Sequence, residues 1–98
     1  MNIEKTLEND ILIMKLVGRL NTATAPMLEK ELKEGLTGIK TFILDFEQLE
    51  YISSAGLRIL LRAQKVMNKQ GFMTLRNVNE DIMEIFEITG FQEILTIE

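Results

Sequence analysis

The sequence predicts an α/β domain: a mixed, largely parallel β-sheet with an N-terminal β-hairpin and flanking helices. Three observations predict it. Two runs of β-type residues, Ile3 to Leu7 and Ile11 to Val17, are separated by Asn9-Asp10, a pair suited to a tight hairpin turn. After them, segments with helical spacing alternate with short apolar segments, the pattern of parallel strands joined by right-handed crossovers. No linker, repeat or low-complexity stretch interrupts the alternation, so residues 1–98 read as one domain.

Gly18-Arg19-Leu20-Asn21-Thr22-Ala23-Thr24 reads as a loop, from which Thr22 or Thr24 can cap a first helix. Pro26 is tolerated only in that helix's first turn. Leu28, Leu32 and Leu36 mark its buried face, Glu29, Lys30, Lys33 and Glu34 its outer one, and Gly35 and Gly38 end it. Lys40 to Phe46 is a buried strand. Leu57 to Lys69 is a second helix, and Phe72 to Arg76 a further strand of the core. Asn77-Val78-Asn79 offers a cap for a third helix through Ile82, Ile85, Phe86 and Ile88, closed by Gly90. Ile94 to Ile97 makes a last short strand, giving the order β-β-α-β-α-β-α-β.

Composition narrows the function classes. The chain has 98 residues and a net charge of −4, with no long basic run, which speaks against nucleic acid as the main partner. It has no cysteine, hence no disulfide or thiol chemistry, and no histidine, the commonest general base and metal ligand. No apolar run approaches the ~18 residues of a membrane span, and Met1-Asn2-Ile3-Glu4-Lys5 lacks a signal-peptide pattern. The expectation is a small cytoplasmic domain that uses no membrane, no cofactor and no metal.

The informative segment is Leu49-Glu50-Tyr51-Ile52-Ser53-Ser54-Ala55-Gly56-Leu57-Arg58. Two serines stand between a strand and a helix, among small residues that leave the backbone open. If the strands ending near Val17 and Phe46 are parallel, their following loops share one end of the sheet, where open α/β sheets present their sites. Asn21 and Ser54 then lie within one or two strand spacings of each other, each ~4.8 Å. The plain reading makes one serine an N-cap. A capping box, however, wants Glu or Gln three residues on, where Gly56 and Leu57 stand. Glycine in a first helical turn costs roughly 1 kcal/mol against alanine. Gly56 therefore suits a close approach by another chain's backbone.

Ile52-Ser53-Ser54-Ala55-Gly56-Leu57-Arg58 resembles the signature of the STAS domain, shared by bacterial anti-sigma factor antagonists and the tails of sulfate transporters. Gly18-Arg19-Leu20-Asn21 with Thr24-Ala25 resembles that family's G-x-L-D-x-x-T/S-A loop. Leu44-Asp45-Phe46, Gly71 and Ile88-Thr89-Gly90-Phe91 also fall at the expected places. A chain without membrane spans looks like the antagonist branch. The resemblance implies a phosphorylation-controlled protein-binding switch in transcription regulation. Its partners are an anti-sigma factor that is also a serine kinase and a metal-dependent phosphatase. Aligning on Gly56-Leu57 places the phosphate acceptor at Ser54, with Ser53 next in line, and the partner surface on Asn21, Thr22, Ser53, Ser54, Gly56, Arg58 and Arg62. Asn21 and Ser53 stand where many members carry Asp, keeping hydrogen-bonding capacity without the charge.

Two other function classes bear comparison. A serine enzyme needs a base and an oxyanion hole. Without histidine, and without a Gly-x-Ser-x-Gly or P-loop pattern, no spacing proposes either. Asp45, Glu47 and Glu50 read as a solvated rim rather than a metal site. A constitutive STAS-type interaction module of a sensory complex, never phosphorylated, is the stronger rival. Arg58, Arg62, Lys65 and Lys69 form one basic stripe opposite Leu57, Leu60, Leu61 and Met67. That stripe is either a solvated face or a contact for an acidic partner surface beside Ser54.

Overall fold

The computed structural model describes residues 1–98. Its elements are β1 (Asn2–Glu8), β2 (Ile11–Leu20), α1 (Ala25–Gly35), β3 (Thr41–Ile52), α2 (Ser54–Gln70), β4 (Phe72–Arg76), α3 (Glu80–Thr89) and a 3₁₀ turn, Phe91–Glu93. The sheet order is β1-β2-β3-β4, with β1 antiparallel to β2 and the other pairs parallel. The hairpin turns at Asn9-Asp10, with Asn9 in the left-handed region at φ 57°.

Each crossover moves one strand along in the same direction, and right-handed crossovers of that kind place their helices on one side. The burial pattern matches. Leu12, Met14 and Leu16 of β2, Phe42, Leu44 and Phe46 of β3, and Met73 and Leu75 of β4 are buried under the helices. The intervening Ile11, Ile13, Ile43 and Phe72 face the opposite side, where Phe72 is 76% exposed. Ile11, Ile13 and Val17, which mark β2 in the sequence, are thus not its core residues; the strand is apolar on both faces, as parallel strands commonly are.

Two strand ends differ from the sequence reading. β3 runs to Ile52 rather than stopping at Phe46, because two register shifts, the first a β-bulge after Asp45 and the second between Leu49 and Tyr51, break its alternation. Lys15 pairs with Asp45 and Val17 with Gln48, so three steps on β3 oppose two on β2. Polar Glu47, Gln48 and Glu50 then read as loop, although Leu49 and Ile52 are 1% and 2% exposed. The expected final strand is reduced to a single parallel bridge, Leu75 to Ile97. The bridge rests on two backbone hydrogen bonds, Leu75 N–H to the Thr96 carbonyl and Glu98 N–H to the Leu75 carbonyl, both 2.9 Å, and the chain before it is taken up by the left-handed Gly90, at φ 79°, and the 3₁₀ turn.

Asp45 fastens the bulge. Its Oδ1 accepts the Glu47 N–H and the Asn77 side-chain amide, both at 3.0 Å, and its Oδ2 lies 3.5 Å from Arg76 Nε. It is therefore a buried clasp between β3 and the end of β4, not part of a solvated rim. Glu47 pairs instead with Lys15 and Glu50 is exposed, so the three acids do not converge. Burial works to raise the Asp45 pKa. The Asn77 hydrogen bond, then the Glu47 amide, then Arg76 and Lys15 outweigh it, and the net shift is downward.

Gly56 fixes how α2 sits on the sheet. A Cβ there would fall 2.7 Å from Leu20 Cγ and 2.8 Å from Ile52 Cγ1, side chains that are 0% and 2% exposed. The helix thus rests its first turn directly on the last rung of the β2–β3 pairing. Gly71 serves the other end in the same way, since a Cβ would lie 1.9 Å from the Lys40 carbonyl oxygen.

Asp45→Asn should destabilise the protein by about 1–3 kcal/mol at pH 7, the range for a lost hydrogen-bonded charge. The folded-state pKa lies below the unfolded ~3.9, so the ionised group stabilises fully above the unfolded value. That contribution disappears as pH falls through the folded one. Urea midpoints of wild type and variant should therefore converge at acid pH; an equal gap at pH 7 and pH 3 would contradict the clasp. Gly56→Ala should lower stability even though alanine favours helix by roughly 1 kcal/mol, because overpacking costs about 1–3 kcal/mol. Adding Leu20→Val should recover part of that loss in thermal melts. A more stable Gly56→Ala protein would refute the packing account.

Candidate functional site

The site is assembled at the C-terminal ends of β2 and β3. Leu20 pairs with Ile52, and the Ser53 N–H donates to the Leu20 carbonyl at 2.9 Å. The Asn21 loop and the serine turn are therefore one strand spacing apart. One pair earlier, where Arg19 stands opposite Tyr51, the Arg19 guanidinium lies 4.4 Å from the centre of the Tyr51 ring. That pair has no signal in the sequence, because it depends on the register after the bulge.

The two serines have different jobs. Ser53 is the N-cap of α2, in extended conformation at φ −100° and ψ 176°. Its Oγ accepts the Gly56 N–H in a long hydrogen bond of 3.5 Å, and its carbonyl accepts the Leu57 N–H at 3.0 Å. Half-buried Ser53 is held on both sides, whereas Ser54, the first residue of the helix, is exposed. Capping and exposure are thereby divided between neighbours.

The electrostatics of the turn favour a negative group. A helix N-terminus carries about half a positive charge, usually balanced by acids in the first turn. α3 follows that rule with Glu80 and Asp81 beside its Asn79 cap. The first turn of α2 has no acid. Arg58 stands exposed one turn further on, and side chains four residues apart share a helix face.

The remaining residues named from the sequence divide into surface and scaffold. Thr22 is exposed and lines a shallow cleft with Ala55 and Arg58 beside the turn. Asn21 is half-buried, and its Oδ1 accepts the N–H groups of Ala23 and Thr24 at 3.0 and 3.1 Å. Thr24 stands at the N-cap of α1 without a side-chain cap hydrogen bond, and Asn21 closes the turn that leads into it. Thr24 turns its hydroxyl back to the Arg19 carbonyl at 2.8 Å. The Asn-x-x-Thr spacing is the signal that marks such a turn. Gly56 is buried, so the close approach it permits comes from Leu20 and Ile52 of its own chain and not from a partner. Arg62 is exposed but tied to Glu29 of α1 by an ion pair. Arg58, Arg62, Lys65 and Lys69 all face solvent, while Leu57, Leu60 and Met67 are buried and Leu61 is half-buried.

No helix is long and apolar enough to cross a membrane. The profile of the STAS domain matches residues 2–98. A Bordetella bronchiseptica protein with the provisional name anti-sigma factor antagonist BtrV is 40% identical over 89 residues, covering 89% of this chain and 77% of that protein. The anti-sigma-B factor antagonist of Bacillus subtilis is 30% identical over 101 residues, covering 99% and 92%. Among solved structures, the Bacillus antagonist SpoIIAA superposes in its unphosphorylated and phosphorylated forms with a TM-score of 0.77 each. Identities there are 15% and 16%, over 99% of this chain and 87% and 91% of those chains, a likeness of fold. The chain belongs to the STAS domain family, among relatives named as anti-sigma factor antagonists.

Proposed function

We propose that this protein is an anti-sigma factor antagonist whose binding is switched by phosphorylation of Ser54. Unphosphorylated, it sequesters an anti-sigma factor that is also a serine kinase; a metal-dependent phosphatase reverses the modification. It acts in the cytoplasm by binding rather than by catalysis. The observation that carries the reading is the division between the serines: Ser53 is engaged as cap while Ser54 is exposed on a helix end lacking acids. The names of the relatives and the phosphorylated SpoIIAA structure support the same direction.

The switch follows from where the charge would be placed. A phosphoserine carries roughly −1.5 to −2 charges at pH 7. At the start of α2 this is locally stabilising by about 0.3–1 kcal/mol, so the fold survives modification. At an interface shaped for a hydroxyl, the same group is desolvated without a partner, and a loss of ~2.8 kcal/mol weakens affinity a hundredfold. Ser53, Thr22 and Arg58 frame that surface, and Asn21 holds its loop.

The test is affinity capture of the partner from a cell lysate, followed by phosphorylation and binding with the purified anti-sigma factor. Label should appear in wild type and Ser53→Ala and be lost in Ser54→Ala. Label retained in Ser54→Ala but absent from Ser53→Ala would move the acceptor by one residue; retention in the double variant would refute this turn. Ser53→Ala should be less stable by about 0.5–2 kcal/mol, the cost of a lost cap. The phosphorylated protein should melt within a few degrees of the unmodified form yet bind the anti-sigma factor at least a hundredfold more weakly by calorimetry. Undiminished binding would end the proposal, and a stable partner with no kinase activity would favour the constitutive module.

A further inference from the structure

A groove between α1 and α2 continues the surface around Ser54. The shallow cleft beside the serine turn is bounded on one side by the Glu29–Arg62 ion pair, which bridges the two helices. Past that bridge the groove widens to about 590 Å³. Its floor is Leu32, Leu36, Ile59 and Ala63, and Val66 on its wall is 43% exposed. Lys33 and Lys65 stand along it, and neither takes part in an ion pair. Cleft and groove share Glu29, Ile59 and Arg62, so a partner seated on the turn already abuts the groove.

Charge distinguishes this surface from the rest of the molecule. The chain carries −4 overall, yet α2 holds Arg58, Arg62, Lys65 and Lys69 with no acid. The other wall is mixed: α1 carries Glu29, which lines the groove and is tied to Arg62, and Glu31 and Glu34, which do not line it, while four more acids lie on α3 (Glu80, Asp81, Glu84 and Glu87). With Glu29 and Arg62 neutralising each other, the unpaired charges beside the apolar floor are Lys33 and Lys65, the complement of a helix with one apolar face and acidic edges. From Ile59 to Gln70 the groove follows about 16 Å of α2, the length of three helical turns.

We infer that the anti-sigma factor lays an acidic amphipathic helix of about three turns along this groove, with its apolar face over Val66. The inference rests on the function proposed above. It makes the partner's contact bipartite: the serine turn carries the part that phosphorylation switches, and the groove carries a part that the phosphate does not touch.

The test uses the full chain and the purified anti-sigma factor. Lys33→Glu combined with Lys65→Glu, and separately Val66→Asp, change surface positions and should melt close to wild type. Each should weaken binding of the unphosphorylated protein at least tenfold by calorimetry, and the lysine variant should also lose much of the salt dependence. In ¹⁵N-labelled wild type, the amides of Leu32, Ala63 and Val66 should shift on adding the anti-sigma factor, together with those of the serine turn. Full affinity in both groove variants, with binding still abolished by phosphorylation of Ser54, would overturn the groove while leaving the functional reading intact. Failure of wild type to bind the anti-sigma factor at all would overturn both. Groove shifts that appear only with rising protein concentration would assign the surface to a second copy of this chain and overturn the inference.

Discussion

Everything at the working end of this molecule depends on the rung where Leu20 meets Ile52. The parallel pairing of β2 and β3 brings their last residues level, so two loops distant in sequence leave the sheet side by side. Both side chains turn under α2, and the absence of a side chain at Gly56 lets the helix settle onto them. The Ser53 N–H closes the arrangement by donating to Leu20. One rung thus sets the height of the helix, the position of its cap and the separation of the two loops. Because packed interiors deform little, the serine turn inherits the rigidity of the core beneath it.

Two register shifts in β3 lead up to that rung. The extra residue after Asp45 brings Leu49 to the face of Phe46, and a second shift between Leu49 and Tyr51 brings Ile52 to that face as well. Asp45 satisfies the displaced backbone at Glu47 and ties it to Asn77 and Arg76. A buried carboxylate would ordinarily be a cost to the fold. Here it is matched by donors on three sides, and it holds an irregularity in place that a purely apolar core could not specify.

Periodicity made most of the architecture legible. The hairpin around Asn9-Asp10, the buried face of α1 at Leu28, Leu32 and Leu36, and the Asn79 cap of α3 all stand where local rules place them. The end of β3 was not legible, because a bulge replaces alternation by a three-residue step and makes a strand resemble a polar loop. The final strand was only partly legible: Ile94 to Ile97 has β-type residues, but Ile94 follows directly on the 3₁₀ turn and the pairing with β4 is confined to the bridge at Ile97. At the site, the exposed position of Ser54 follows from the helix boundary alone. The burial of Gly56 and the stacking of Arg19 on Tyr51 depend on which residues face each other across β2 and β3, and no local rule contains that information. Asp45 shows the same limit: Glu47 and Glu50 nearby are exposed acids, and of its partners only the Glu47 N–H is local, while Asn77 and Arg76 are some thirty residues away.

The tandem of Ser53 and Ser54 has a consequence for timing. A hydroxyl that both capped the helix and accepted a phosphate would have to release its backbone partner before each modification, and the helix end would fray and re-form once per cycle. With the cap on Ser53, the hydroxyl of Ser54 can be esterified and hydrolysed while every backbone hydrogen bond of the turn stays closed. Local opening, which often limits how fast a structured site is modified, then drops out of the rate. Under the proposed switch, the pace of each cycle is set by diffusion of the partners and by their own chemistry, and the domain is ready for its next encounter as soon as the last one ends.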